Sequence, residues 1–304
     1  MGRWLASPLL VGLAACVGPG LLTDGSSVSV GTHSRGLLRR GHKLPARGEG
    51  YVVPPRWLSR DRSYGTDELV SLILRAARRV ERQHRNAMLG VADLSPRGGG
   101  PSPEHLSHRS GRDVDLIYYT TDLRGKPVLP SEMLHYDESG LSRSDSAEGA
   151  GGILTGAAAY WQRPPPTAEG PAGTPPPRRL DVQRTWALVR ALVTDPEVHV
   201  QWIFIGRTVA RQLLAHAQRI NEPAWVVERA ESLMHQPGDA QAHDDHVHVR
   251  VFCPLSDRQL GCVDRGPPRW MKKSLKYSHL PPFRQATQVD LQQLTLAPIR
   301  YPFL

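Results

Sequence analysis

A run of three histidines in the last quarter of the chain has the residue types and spacing of a metal or acid–base site. It reads His-Asp-Asp-His-Val-His-Val-Arg-Val over residues 243–251. From His246 onward polar and apolar side chains alternate, which is typical of a strand with one buried and one polar face. The imidazoles of His246 and His248 are therefore expected on the same face. One can bind a metal while the other reaches over the metal's open coordination position.

A second cluster of ligand-type residues lies more than a hundred residues upstream. His105 and His108 precede a predicted turn, and an alternating strand follows with Asp113 and Asp115 on one face. Catalytic zinc sites typically take three protein ligands from His and carboxylate side chains and leave the fourth position to water. His108, Asp115 and His248 supply such a set, provided that the two strands are neighbours in the fold.

The two clusters together resemble the zinc motifs of the penicillin-insensitive murein endopeptidases. That family is grouped with lysostaphin-type peptidases, D-alanyl-D-alanine peptidases and hedgehog domains. The matching blocks are Ser-His-x-x-Gly-x-Asp-Val-Asp over residues 107–115 and His-Asp-Asp-His-x-His-Val-Arg over residues 243–250. The likeness covers about residues 62–262 and leaves out both ends of the chain. It implies Zn²⁺ as the cofactor and peptidoglycan as the partner.

The resemblance also implies a role for each residue of the site. Its His-x6-Asp spacing selects Asp115, rather than Asp113, as the ligand that joins His108 and His248. Asp113 is then expected to pack or to hydrogen-bond to the turn. His246 cannot share the metal with His248 from the same face without strain, so we predict that it acts as the general base or stabilises the tetrahedral oxyanion.

Three further residues have open roles. His105 and His243 are predicted to orient a ligand or to touch substrate, with simple surface exposure as the alternative. Arg250 is predicted either to bind a substrate carboxylate or to pair with Asp244 or Asp245, and the two readings have equal weight. The remaining histidines are scattered and are interpreted as surface or packing residues.

The implied reaction is hydrolysis of the D-alanyl–meso-diaminopimelyl cross-link in peptidoglycan. A zinc-activated water would attack the peptide bond, and no Ser or Cys nucleophile is required. One alternative keeps the metal but acts on uncross-linked stem peptides as a D,D- or L,D-carboxypeptidase. Another is a non-catalytic, lipid-anchored wall-binding protein, which the retention of every ligand disfavours.

The elements that must position these residues predict an α+β fold. Strands are predicted over residues 89–94, 114–120, 198–205 and 246–251, and helices after an N-cap at Thr66 and over about 186–192, 209–217 and 225–234. Strands and helices without regular βαβ alternation indicate a small, mainly antiparallel sheet flanked by helices. The resemblance implies the same fold, of the hedgehog and D-Ala-D-Ala peptidase type.

The amino terminus is typical of an exported lipoprotein. One positive charge and an apolar run over residues 5–15 precede Leu-Ala-Ala-Cys, which resembles a lipobox ending at Cys16. Cys16 would be acylated, and the protein would act in the periplasm, anchored to the outer membrane. The alternatives are a simple exported protein or a cytosolic one with an apolar start.

Composition and spacing divide the chain into four parts. Residues 1–16 are predicted to be a lipoprotein-type signal peptide and residues 17–50 a disordered tether, because they are rich in Gly, Ser and Arg. Residues 51–265 are predicted to form the zinc peptidase domain that the resemblance implies, with a Pro-rich insertion at about 163–179. Residues 266–304 are a basic, Pro-rich carboxyl-terminal extension.

The cysteines indicate the cellular compartment, and the net charge indicates the kind of binding partner. Cys253 and Cys262 are expected to pair in an oxidising compartment and to clamp the end of the strand that carries His248. The alternative is two free thiols in a reducing one. The net charge of +9 suits anionic partners such as cell-wall polymer or lipid headgroups. No Lys/Arg-rich helix with interleaved aromatic residues predicts nucleic-acid binding, and no protein partner can be deduced.

Overall fold

A computed structural model of the chain describes residues 26–103, 105–142, 177–237 and 243–266. The predicted signal peptide with Cys16, most of the Pro-rich insertion and nearly all of the carboxyl-terminal extension lie outside the described residues. Among the helices that are described, none has the length and apolarity needed to cross a bilayer.

Six helices and fourteen strands occur in the described residues. The helices are α1 (Pro55–Leu58), α2 (Asp67–Gln83), α3 (Val182–Val193), α4 (Arg207–Arg219), α5 (Ala224–Leu233) and α6 (Leu255–Gln259). The strands are β1 (Val28–Thr32), β2 (Arg35–Arg39), β3 (His42–Lys43), β4 (Arg47–Gly48), β5 (Tyr51–Val52), β6 (Tyr64–Gly65), β7 (Leu89–Val91), β8 (Asp113–Ile117), β9 (Thr120–Thr121), β10 (Pro127–Val128), β11 (Arg179–Leu180), β12 (Val200–Phe204), β13 (Met234–His235) and β14 (His246–Val251).

The main sheet has seven strands in the order β13-β12-β14-β8-β7-β5-β4. Its centre is antiparallel: β14 pairs with β12 on one side and with β8 on the other, and β8 pairs with β7. Only the pairs β12–β13 and β5–β7 are parallel. This architecture confirms the predicted mixture of helices with a mainly antiparallel sheet. The likeness to hedgehog domains in particular stays a prediction.

Helix α2 shows how the local sequence builds the core beside this sheet. The hydroxyl oxygen of Thr66 accepts a hydrogen bond from the backbone N–H of Leu69, as expected of an N-cap. Leu69, Ile73, Ala77 and Val80 follow at helical spacing and are fully buried. Burying a large aliphatic side chain of this kind contributes about 1.5–3 kcal/mol. The predicted start of this helix is therefore confirmed.

The prediction of a disordered tether is wrong for residues 26–50, because an ordered amino-terminal hairpin, formed by β1 and β2, begins at residue 28. The hairpin is held by backbone hydrogen bonds to distant loops. The N–H of Gly31 donates to the carbonyl of Gly261, the N–H of Val263 donates to the carbonyl of Gly31, and the N–H of Leu38 donates to the carbonyl of Gly98. The low apolar content of residues 26–50 does not predict this ordered hairpin, because these contacts with distant loops are backbone hydrogen bonds, which do not depend on apolar side chains.

The half-buried carboxyl group of Glu68, in the first turn of α2, predicts a pH dependence of stability. Burial raises the pKa of Glu68 to about 7, and its Oε2 atom has no hydrogen-bond partner among the described residues. Because the folded-state pKa exceeds the unfolded value, ionisation opposes folding, and stability falls as the pH rises from about 4.5 through 7. We expect Glu68→Gln to raise the free energy of unfolding by about 1 kcal/mol at pH 8 and to change it little at pH 4.5, in urea titrations. An equal effect at both pH values would contradict this assignment.

Candidate metal centre

The pairing of β8 with β14 brings the two sequence clusters together. The antiparallel register sets His248 opposite Asp115 and Arg250 opposite Asp113. Side chains that are directly opposed on one face of a sheet have Cβ atoms about 4.5–5.5 Å apart. The strands that carry Asp115 and His248 are thus neighbours, which is the condition that the predicted site requires.

The loop before β8 delivers His108 in a constrained backbone conformation. His108 has a φ of 60°, in the left-handed region that non-glycine residues rarely adopt. The hydroxyl of Ser95 donates to the carbonyl of His108 at 2.5 Å and accepts from the N–H of Gly111 at 3.0 Å, which braces this turn. Nδ1 of His108 lies 3.1 Å from the carbonyl oxygen of Leu94. If Nδ1 carries the proton and donates it there, the lone pair of Nε2 faces the site.

The atoms of the three predicted ligands lie at distances that fit a tetrahedral metal ion. Oδ1 of Asp115 is 3.3 Å from Nε2 of His108 and 3.2 Å from Nδ1 of His248. Four ligands at zinc-to-ligand distances of about 2.0–2.1 Å in a tetrahedron are about 3.3 Å from one another. Nε2 of His108 and Oδ1 of Asp115 are buried and have no hydrogen-bond partner among the described residues. Buried polar atoms without partners are costly, so the residues present fit a bound cation.

Asp113 orients the imidazole of His248. Its Oδ1 atom lies 2.8 Å from Nε2 of His248, so an N–H at that position donates to the carboxylate and leaves Nδ1 to face Asp115. Burial alone would raise the pKa of Asp113, but the guanidinium of Arg250 and the imidazole of His248 hold it well below its usual range. A carboxylate behind a ligand histidine fixes the ring and its tautomer. The expectation that Asp113 would only pack or bond to the turn is therefore wrong.

Arg250 does not occupy either of its two predicted positions. Its Nε atom lies 2.6 Å from Oδ1 of Asp113, and its guanidinium lies 5.2 Å from the centre of the Phe204 ring. The residue is 5% exposed, which leaves little of it open to a substrate carboxylate. The register of β14 with β8 explains this pairing, because Arg250 and Asp113 are cross-strand partners. Arg250 thus neutralises Asp113 behind the site.

The Asp113–His248 contact predicts how the site responds to a change outside the ligand set. We expect Asp113→Asn to weaken zinc binding about 10- to 100-fold, because an amide is a weaker acceptor and leaves Arg250 buried without its charge partner. Competition with a chelator of known affinity measures this change. Asp61→Asn is the matched control, since Asp61 is exposed and pairs with Lys43 at the surface. Unchanged affinity in the Asp113 variant would remove this residue from the site.

His246 lies beside the ligands, as the alternation predicted. Its Nε2 atom is 3.4 Å from Oδ1 of Asp115, and its Nδ1 atom is 2.6 Å from Oδ1 of Asp245. Burial lowers the pKa of His246, but the carboxylates of Asp115 and Asp245 outweigh it and raise the pKa to about 10. The contact with Asp245 holds the ring in place, and the sequence analysis assigned no such role to that residue.

His105 and His243 both lie in the same cluster, on opposite sides of it. The ring of His105 is 4.2 Å from that of His108, and its Nε2 atom is 2.9 Å from Oδ2 of Asp93. The ring of His243 is 5.2 Å from that of His246. Burial, helped by the neighbouring imidazoles, lowers the pKa of His243 to about 4. Neither residue is simply surface-exposed, and their functional roles stay predictions.

Two other residues near the site were interpreted as surface or packing histidines. Nδ1 of His135 lies 2.7 Å from Oδ1 of Asp244, and these two residues and Asp245 bring potential ligand atoms within 4.8 Å of one another. His33, at the tip of the amino-terminal hairpin, accepts a hydrogen bond at its carbonyl from the N–H of Arg109. Burial and the charge of Arg250 lower the pKa of His33 to about 4. Their isolated positions in the sequence gave no signal of this proximity.

The predicted disulfide between Cys253 and Cys262 is present, and it closes the loop that follows β14. The bridge fixes the chain directly after the strand that carries His248. Replacing both cysteines by serine is expected to lower the free energy of unfolding by about 3 kcal/mol, because the unfolded chain loses a short covalent loop. Urea titration of the double variant measures the loss, with reduced wild-type protein as the matched comparison. A difference below about 1 kcal/mol would mean that the loop is held by its other contacts.

Two imidazoles and one carboxylate around a common point, with a third imidazole beside them, form the donor set of a mononuclear zinc hydrolase. The described residues bring candidate ligand atoms together in two groups, His105, His108 and Asp115, and His243, His246 and His248. The contact between Asp115 and His248 joins the two groups. The fold and the site thus bring together side chains that could hold a metal ion, and comparison with known proteins indicates the class of protein.

The chain is similar to penicillin-insensitive murein endopeptidases, and the predicted resemblance to that family is confirmed. The family model matches residues 29–147, a range that starts well before the expected domain boundary at residue 51. The Haemophilus influenzae protein of that name is 25% identical over 237 residues, covering 76% of this chain and 65% of the relative. A Klebsiella pneumoniae relative of the same name is 24% identical over 245 residues, covering 80% of this chain and 72% of the relative. The chain therefore matches about two thirds of the length of these relatives.

Proposed function

We propose that this chain is a zinc-dependent murein endopeptidase that hydrolyses D-alanyl–meso-diaminopimelyl cross-links in peptidoglycan. The observation that carries the proposal is that Nε2 of His108 and Nδ1 of His248 lie 3.3 Å and 3.2 Å from the same atom, Oδ1 of Asp115. The names of the relatives support the choice of substrate. When bound there, zinc supplies a Lewis acid and lowers the pKa of water toward neutrality.

The chain's own residues supply proton transfer and orientation. His246 presents Nε2 beside Oδ1 of Asp115. A cation held by Asp115 would offset the carboxylate charge that raises the pKa of His246, so that the ring could take a proton from the attacking water and deliver one to the leaving amine. Asp245 holds the opposite nitrogen of that ring and stabilises its cationic form. Asp113 performs the equivalent task for His248, so both functional imidazoles of β14 are fixed by carboxylates.

The same proposal includes the location of the protein. A peptidoglycan substrate and a disulfide both suit the periplasm, where thiols are oxidised. Attachment to the outer membrane through an acylated Cys16 remains part of the proposal, and that residue lies outside the described structure.

Digestion of purified sacculi tests the reaction directly. An endopeptidase converts cross-linked muropeptide dimers to monomers, whereas a carboxypeptidase only shortens the stem peptides of species that are already monomeric. We expect dimers to disappear, a chelator to stop the reaction, and added zinc to restore it. Shortened stems with intact dimers would favour a carboxypeptidase. Binding to sacculi without any new muropeptide would favour a wall-binding protein.

A further inference from the structure

An open groove with a cavity volume of about 320 Å³ lies between the amino-terminal hairpin and the loop that leads to His108. Val30, Leu37 and Pro101 give it an apolar lining, and glycines of both segments complete its surface. Arg35 and Arg109 also line it. Its volume is at the lower end of the range for small-ligand sites, which corresponds to a group of one or two amino-acid residues.

The charge of this groove is one-sided. The hairpin and its continuation, residues 26–48, contain five Arg or Lys residues and no Asp or Glu. Within the described residues, no ion pair involves the guanidinium of Arg35 or of Arg109, and Nε of Arg109 is buried without a hydrogen-bond partner. Guanidinium groups in such positions attract carboxylates and can bind them with two parallel hydrogen bonds.

The groove is built on the segment that carries a metal ligand. Arg109 directly follows His108, its backbone N–H donates to His33 in the hairpin, and its carbonyl accepts from the N–H of Gly100. Because Arg109 directly follows His108, the groove and the proposed metal centre share one loop.

We propose that this groove binds a carboxylate-bearing arm of the peptide cross-link, with Arg35 and Arg109 pairing with its carboxylates and the apolar lining contacting its aliphatic part. The proposal rests on the proposed function and names the part of the substrate that is recognised. A phosphate polymer would need a row of cations along its path. Two cations over an apolar surface instead suit a peptide that has both charged and aliphatic portions.

Binding of a purified disaccharide-tetrapeptide, with free or amidated carboxyl groups, tests the proposal. Calorimetry is performed with the zinc-loaded, full-length His246→Ala variant, so that no hydrolysis interferes. We expect amidation to weaken binding about 10-fold or more, and Arg35→Glu to weaken binding of the free acid about 10-fold. Arg39→Glu is the matched control, because Arg39 is exposed on the same strand but does not line the groove. It should change the affinity less than about 2-fold.

A carboxylate of the ligand can also bind zinc directly. The test therefore compares the effect of Arg35→Glu on binding of the free acid with its effect on binding of the amidated ligand. Arg35→Glu should have little effect on binding of the amidated ligand. If amidation instead removed a contact with zinc, it would weaken binding equally with and without the Arg35→Glu substitution. Equal weakening by Arg35→Glu and Arg39→Glu, or equal binding of the two ligands, would overturn the proposal. Stronger, Arg35-dependent binding of a poly(glycerol phosphate) would overturn it in favour of a phosphate polymer. Since binding is measured, the sacculus digest can fail while this result remains readable.

Discussion

Replacing His248 by alanine is expected to abolish zinc binding and to lower kcat/KM for cross-linked muropeptides about 10³-fold or more. In the proposed centre His248 provides one of three ligand atoms, and its loss also leaves Asp113 without the ring to which it is hydrogen-bonded. A metal centre of this type supplies several kcal/mol of transition-state stabilisation, and each 1.36 kcal/mol is a factor of ten in rate. Elemental analysis of the purified variant and a dimer-to-monomer assay measure the two effects.

His42→Ala is the matched control for this variant. His42 is an exposed histidine on β3, away from the ligand atoms described above, so its replacement should leave zinc content and rate unchanged. Unfolding must be compared as well, because His248 is buried in the main sheet. Undiminished hydrolysis by a folded His248→Ala variant would show that the chemistry does not depend on this centre.

His246→Ala is expected to separate proton transfer from metal binding. The variant should retain one zinc per chain, because the three ligand atoms remain, while kcat falls about 10²- to 10⁴-fold through loss of a general acid–base group. Asp245→Asn should reduce kcat less, since the imidazole remains but loses the carboxylate that fixes its Nδ1 atom.

The contrast between these variants identifies the role of His246. Loss of zinc together with activity would make it a ligand rather than a base. Full activity with zinc retained would leave proton transfer to another group, of which His243 and His105 are the nearest imidazoles described. Zinc content and initial rate are therefore measured on the same preparation.

The proximity of the candidate ligands could be predicted because its signals are local. Alternation places His246 and His248 on one face of a strand, and the spacing from His108 to Asp115 spans one turn and one short strand. The two blocks also match one family at once, which joins residues that are far apart in the chain. The helix start at Thr66 is local in the same sense, since a single side chain caps the backbone there.

The partners behind the ligands could not be predicted because they depend on register between distant strands. Arg250 faces Asp113 only when β14 and β8 pair as they do, and a shift of one residue would point their side chains to opposite faces. The side-chain pattern of residues 26–50 did not predict the folded hairpin for a related reason. Its stabilising hydrogen bonds involve backbone groups of residues such as Gly98 and Gly261, which no side-chain pattern reports.

The backbone pairing of Gly31 with residues 261 and 263 affects the order in which parts of the molecule fold during synthesis. Strand β1 cannot complete its contacts until the loop near residue 260 has been synthesised. His248 comes more than a hundred residues after the other two candidate ligands. Contacts of such long range form late in folding. The proposed metal centre is therefore incomplete in a growing chain until residue 248 and the segment that follows it have been synthesised.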